Sequence, residues 1–324
     1  MTAPEEQINI LLYGLGAIGG FYAFILERNP GVSLSVCARS NYDAVKQSGL
    51  RIESENHGHH VVRPSGVYRT PADAGRTFDY VVCAHKALNQ DAVPPQLEPV
   101  VGPETTIVII QNGVGNEEPF RNAFPECTII SCVTWVGATQ VSPGLIKHTK
   151  SEAAEFGLFP NPQVDGKVEK ERLDRFTTLL KKGGTTFTVE DNIQIKRWEK
   201  VVWNAAWNPI TTLTMIDTQS WLKSSDEAMQ MTRQLMKDVI DVGKRSGVPL
   251  EDDLVDRLIT RILGMPGIRS SMQTDAKAGR PLEVDVILGT PVAKAKEFGM
   301  AVPTLRTVYA LTTAVNLRLK GDQI

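Results

Sequence analysis

Cysteine is scarce in this chain. Its 324 residues hold four, Cys37, Cys83, Cys127 and Cys132, with no Cys-x-x-Cys pair among them. That argues against a thiolate metal site, and because Cys37, Cys83 and Cys132 fall in apolar runs, reduced core thiols are expected. Histidine is sparse too, and His57, His59 and His60 share one polar stretch without further ligands at metal-binding spacing, so a solvated loop and no metal site are expected there. Neither sign of charge dominates: the formal net charge is −2, which gives no broad surface for nucleic acid or membrane. No apolar stretch is long enough to cross a bilayer. Met1–Gln7 lacks the pattern of a signal or transit peptide, so a cytoplasmic protein is expected. Internal repeats and low-complexity tracts are missing as well.

What remains is ordinary globular composition, 42% hydrophobic and 22% charged, at a length that favours two domains. The most informative segment is Gly14-Leu15-Gly16-Ala17-Ile18-Gly19. Ile8, Ile10, Leu11 and Leu12 before it read as a buried strand, and Phe21, Tyr22, Phe24, Ile25 and Leu26 after it recur at helical spacing. A strand, a Gly-x-Gly-x-x-Gly turn and a helix form a pyrophosphate cradle for a dinucleotide. The first glycine permits a tight turn, the second a close backbone approach to phosphate, and the third helix-on-strand packing. Unpaired N–H groups at the helix start face the anion.

The next strand, Val32 to Cys37, ends in Ala38-Arg39-Ser40-Asn41. NAD-selective folds carry an acidic residue there for the ribose hydroxyl. Arg39 instead suits a 2′-phosphate through charge-assisted hydrogen bonds, so the cofactor is read as NADP(H), against the plainer alternative of a solvated surface arginine.

Strands at Tyr80–Ala84, Thr106–Ile110 and Ile129–Val133 alternate with helical patterns, a weak one near Gln90–Leu97 and another from about Asn116. That order predicts an α/β fold, a Rossmann-type doubly wound sheet. Leu50–Pro64 reads as a polar hairpin, and Gly137–Pro160 as short strands extending the sheet in antiparallel fashion. Beyond Asn192 the periodicity is helical: Trp198–Leu213, kinked at Pro209, then Asp226–Ser246, Leu250–Leu263, Met272–Lys277, Leu282–Phe298 and Thr304–Leu319. The division predicted is residues 1–190 for cofactor binding and 191–324 for an all-helical substrate and catalytic domain, with the active site in the cleft they form.

Lys200, Asn204 and Asn208 fall at i, i+4 and i+8 on one predicted helix and share a face. One cation with two amides and no competing carboxylate suits a polar anion and a proton donor for a carbonyl oxygen. Taken alone, an exposed lysine and two asparagines that cap or hydrogen-bond neighbours are the better account. Lys86 and Asn112, however, each follow a predicted parallel strand, where side chains reach a bound cofactor. Glu283 follows Gly279-Arg280-Pro281 near a helix start, either as a functional carboxylate or as a cap, and Ser271 reads equally well as an N-cap.

These segments together, with His85-Lys86-Ala87, Gln111-Asn112-Gly113-Val114-Gly115, Lys200-x3-Asn204-x3-Asn208-Pro209, Ser270-Ser271-Met272 and Gly279-Arg280-Pro281-Leu282-Glu283-Val284-Asp285, resemble the ketopantoate reductase family nearly end to end. The resemblance implies NADPH-dependent reduction of 2-dehydropantoate to (R)-pantoate, on the way to pantothenate and coenzyme A. It implies Lys200 as proton donor, and Arg39 and Lys86 on the phosphate and adenosine side of the cofactor. It places Asn112 by nicotinamide and substrate, Asn204 and Asn208 on substrate oxygens, Ser271 on its carboxylate, and Glu283 by the nicotinamide ribose. Trp203 and Trp207 depart from the family pattern in bulk, either narrowing the pocket or packing in the core. Reduction of another short 2-oxo acid, or a non-catalytic NADPH-binding regulator, stay open as alternatives. The oligomeric state is not legible, a homodimer being one option.

Overall fold

The computed structural model describes residues 7–321, so the reading of the first six residues lies outside it. The chain forms two compact units, one of Met1–Gln111 with Asn116–Ile193, the other of Asn112–Gly115 with Gln194–Ile324.

The first unit opens with β1 (Ile8–Tyr13), α1 (Ala17–Glu27), β2 (Val32–Cys37) and α2 (Tyr42–Ser48). There follow β3 (Leu50–Ser54), β4 (Gly58–Val62), β5 (Gly66–Tyr68), β6 (Tyr80–Cys83), the single turn α3 (Pro94–Leu97), β7 (Thr106–Ile110) and α4 (Glu118–Ala123). The unit closes with β8 (Thr128–Thr134), β9 (Ala138–Ser142), β10 (Leu145–His148), β11 (Ala154–Phe159), α5 (Gly166–Gly183) and β12 (Phe187–Val189). The main sheet has eight strands in the order β12-β11-β8-β7-β6-β1-β2-β5. Pairing is parallel from β5 through β8, while β11 runs antiparallel to β8.

Chain order reverses where β1 lies between β2 and β6, the place where ligands bind in such sheets. Tyr13 is level with Cys37 on one side and Cys83 on the other, and Cys83 is level with Ile109. Residues just past those four positions therefore emerge along one edge.

Strand residues point alternately to two faces, and each face has its own core. Ile10, Leu12, Val82 and Val108 pack with Phe21, Tyr22, Phe24, Phe176 and Leu180 of α1 and α5. Leu11, Val81, Ile107 and Ile109 pack on the other face with Leu97 and Phe120 of α3 and α4.

Two expectations need correction. β9 and β10 do not extend the main sheet. They join β3 and β4 in a second sheet, order β4-β3-β10-β9, with β10 parallel to β3. The histidine stretch forms part of that hairpin rather than a loop: His59 and His60 are exposed, as expected, but on β4. His57 in the turn is not solvated, its Nε2 2.9 Å from Glu152 Oε2 with only 13% of its side chain exposed and its ring 5.4 Å from that of Phe24. All four cysteines are buried free thiols.

The second unit is helical: α6 (Ile193–Thr214), α7 (Thr218–Leu222), α8 (Asp226–Arg245), α9 (Leu254–Leu263), α10 (Ser271–Lys277), α11 (Thr290–Glu297) and α12 (Pro303–Leu319). Pro209 does not interrupt α6, which is buried all round from Val201 to Thr212; packing on every side outweighs the roughly 3 kcal/mol a helix-interior proline costs. The helix predicted at Leu282–Phe298 starts as a π-helix, Asp285–Gly289, before α11. Among the described residues no helix is long and apolar enough to cross a membrane.

Candidate functional site

The glycine turn lies at the reversal point of the sheet. Gly14 has φ +101°, and a Cβ there would lie 2.4 Å from the backbone nitrogen of His85. A Cβ on Gly19 would lie 2.1 Å from the Gly14 carbonyl oxygen, so this glycine lets α1 close onto the turn. Gly16 differs: a Cβ there would meet no protein atom within 4 Å. It is the N-cap of α1, no side chain caps that end, and no acidic residue sits in the first turn. Open space beside uncapped N–H groups fits an incoming phosphate. Ala17 and Ile18 are half-buried, and Leu15 turns its side chain into the core.

Asn41, which carries no role in the sequence reading beyond its place beside Arg39, holds this turn. Its amide donates to the Leu15 carbonyl, and its Oδ1 accepts from Gly144 N and Gln140 Nε2, both at 3.0 Å. Buried at 2% exposure, it leaves Arg39 and Ser40 as the exposed polar groups at the end of β2. β5 pairs with β2 and places Arg69 next to them, where its guanidinium stacks on Tyr42 at 4.0 Å and pairs with Asp43 at 2.8 Å.

On the β6 side, Lys86 is exposed, and His85 is held in an amide frame. His85 Nε2 lies 3.0 Å from Gln111 Nε2 and 3.3 Å from Gln90 Oε1, and Gln90 donates to Gln111 Oε1 at 2.7 Å. Burial pushes the His85 imidazolium down to about 4; the Arg39 charge acts in the same direction and the Gln90 hydrogen bond opposes both. The ring is neutral at neutral pH, and its Nδ1 is buried without a partner.

In the second unit α6 carries Lys200, Asn204 and Asn208 on one face, and all three are buried, at 8%, 6% and 6% exposure. The Asn204 amide nitrogen has no hydrogen-bond partner. One turn before Lys200, the fully buried Arg197 donates to the Gly113 carbonyl at 2.9 Å. Gly113 itself, at φ +96°, packs so closely on Val286 that a Cβ would lie 2.4 Å from it. Val114 N donates to the Val286 carbonyl at 3.0 Å. That carbonyl is free because the π-helical register hands it to residue 291, a proline with no N–H.

The same hook brings Asn112 to Glu283, with Asn112 Nδ2 donating to Glu283 Oε2 at 3.3 Å. Glu283 is buried at 7% exposure, and the preceding Leu282 N is fixed by Asn316 Oδ1 of α12 at 2.9 Å. Glu283 stands just before the helix that begins at Val284.

Ser271 is not the N-cap of α10. Ser270 is, accepting from Gln273 N at 3.0 Å while its hydroxyl meets Thr211 Oγ1 of α6 at 2.7 Å. Ser271 sits exposed at the first helical position. The structure thus joins Asn112 to Glu283 and aligns Lys200, Asn204 and Asn208. It places Gly14–Gly19, Arg39 and Lys86 along one edge of the first unit's sheet. Asn41, Arg197 and Asn316 carried no sequence signal, since their work is done on partners distant in the chain.

Comparison with known proteins agrees with this arrangement. A family model described as ketopantoate reductase PanE/ApbA matches residues 10–161, and its C-terminal counterpart matches residues 192–316. A protein of Nostoc sp. named 2-dehydropantoate 2-reductase is 27% identical over 305 residues, covering 94% of this chain and 93% of that one. The crystal structure of 2-dehydropantoate 2-reductase from Methylococcus capsulatus superposes with a TM-score of 0.86 at 33% identity, covering 96% of this chain and 98% of that one. A structure of the same description from Geobacter metallireducens gives a TM-score of 0.84 at 26% identity, covering 95% and 99%.

Proposed function

This chain belongs to the ketopantoate reductase family, and from that premise we propose that it reduces 2-dehydropantoate to (R)-pantoate with NADPH. It is an oxidoreductase acting on a CH–OH group with a nicotinamide cofactor. The observation that carries the reading is the buried row Lys200, Asn204 and Asn208, a proton donor aligned with two amides in a unit that also presents the Asn112–Glu283 pair.

The cofactor fits the first unit: the Cβ-sized opening at Gly16 and the uncapped start of α1 suit a pyrophosphate. Arg39 at the end of β2 suits a 2′-phosphate, where a carboxylate would repel it. Lys86 adds a second cation on the adenosine side. When bound, the nicotinamide supplies a hydride to the ketone carbon.

Lys200 then gives its Nζ proton to the ketone oxygen and stabilises the alkoxide as it forms. Burial of Lys200 keeps water from competing for that proton. Asn204 and Asn208 hold the hydroxyl and oxo groups, and Ser271, exposed at the start of α10, receives the carboxylate. Glu283 holds the nicotinamide ribose, with Asn112 between that ribose and the substrate. A regulator that only sensed NADPH would gain nothing from a buried lysine aligned with two amides.

The test is NADPH consumption against a panel of 2-oxo acids. 2-Dehydropantoate is expected to give the highest kcat/KM; preference for another acid would keep the reaction class and replace the substrate, and no consumption with any acid would overturn the reading.

A further inference from the structure

We propose that Trp207 is a further substrate-positioning and specificity-determining residue, its indole N–H pairing with the Asn204 amide N–H as a two-donor cradle for one oxygen group of the 2-oxo acid. The inference rests on the function proposed above. Trp207 is 1% exposed, yet its Nε1 has no hydrogen-bond partner, and the same holds for Nδ2 of Asn204 at 6% exposure. Buried N–H groups are almost always paired, so two orphaned donors about one turn apart on the same helix ask for an explanation.

The helix supplies one. At about 100° per residue, Trp207 projects within about 20° of Lys200 and is the i+3 neighbour of Asn204. Helical side chains lean toward the N-terminus, so the indole lies over the turn that carries Asn204. Both unsatisfied groups are donors, and the charged group on the stripe is a cation. The missing partner is an oxygen acceptor, which the 2-oxo carbonyl of the acid provides.

The ring is braced for this task. Trp203 packs edge-to-face against Trp207 with centroids 5.8 Å apart at 72°. The Arg261 guanidinium of α9 lies 5.0 Å from the centre of the Trp203 ring. Two indoles held in this way form a rigid apolar wall along the Lys200 stripe, and such a wall limits the size of the acid's side chain.

The experiment compares wild type with Trp207→Phe, which keeps the ring and deletes the donor. Loss of one hydrogen bond to the neutral oxo oxygen is expected to raise KM for 2-dehydropantoate by about three- to tenfold. KM for NADPH should stay within about twofold, and the melting temperature should not fall, because deleting an unsatisfied buried donor removes a penalty. A purely structural indole would instead lower the melting temperature and leave the acid's KM unchanged; that result overturns the proposal.

The wild-type protein gives a second readout independent of the variant's folding and of turnover. Adding 2-dehydropantoate should shift the Trp207 indole N–H proton resonance downfield, and an unmoved signal contradicts the cradle. If wild type consumes NADPH with the acid but Trp207→Phe does so equally well, the inference fails and the proposed function stands. If wild type turns over no 2-oxo acid, the proposed function fails and the resonance alone decides the inference.

Discussion

In the proposed cofactor site, residue 39 is the position expected to set the preference between NADPH and NADH. A guanidinium at the end of β2 attracts a dianion, and a carboxylate there would repel it and accept a ribose hydroxyl instead. Arg39→Asp should therefore lower kcat/KM for NADPH by roughly 10- to 100-fold, the value of one or two charge-assisted hydrogen bonds, and shift preference toward NADH. The ratio of the two specificity constants measures it, and an unchanged ratio would place the 2′-phosphate elsewhere, with Arg69 the nearest other cation. Arg39 stands out in the sequence because the strand and glycine turn before it fix its position. Asn41, two residues on, does not: its work is to hold the Leu15 carbonyl and the Gly144 amide, and nothing local announces a partner 103 residues away.

Elements explain why three glycines in one turn are not equivalent. At Gly19 a methyl group would press on the Gly14 carbonyl at 2.1 Å, so Gly19→Ala should cost about 1–3 kcal/mol of stability despite alanine's better helix propensity. At Gly16, with φ −87° and nothing within 4 Å, Gly16→Ala should leave stability within about 0.5 kcal/mol. The added methyl then stands where phosphate would approach, and NADPH affinity should drop by about tenfold or more, the equivalent of about 1.4 kcal/mol. Thermal melts and cofactor titration separate the two effects; a destabilised Gly16→Ala with normal NADPH affinity would contradict this division.

The same scale shows which elements were legible. β1, β6, β7 and β8 are legible because strands of a covered parallel sheet are near-continuous apolar runs, and β2 because Val32, Leu34 and Val36 alternate with Ser33 and Ser35. α5 is not legible because its buried residues, Leu173, Phe176 and Leu180 among them, are interleaved with nine charged side chains between Lys167 and Lys182. The second sheet is not legible because β10 pairs in parallel with β3 across more than 90 residues, and no local pattern encodes such a pairing. The π-helix escaped for a different reason: helical periodicity looks the same until Pro291 withholds its N–H.

At the scale of the whole molecule, stability is coupled to pH through His85. Its folded-state value of about 4 lies below the ordinary 6.5, so between those values the unfolded chain binds a proton that the folded chain refuses. The stabilisation is complete above pH 6.5 and is lost as pH falls toward 4, to the extent of about 3 kcal/mol by linkage. Burial pushes His148 downward as well, in the same sense. Denaturant melts of wild type and His85→Gln across this window should show a steeper loss in the wild type, and parallel curves would remove His85 as the source.

The central claim is that Lys200 delivers the proton in a 2-oxo acid reduction. Steady-state kinetics of Lys200→Ala with 2-dehydropantoate and NADPH, alongside the variant's NADPH dissociation constant, tests it most directly. We predict that kcat falls by about 10²-fold or more while cofactor affinity is unchanged. Turnover close to wild type would contradict the account.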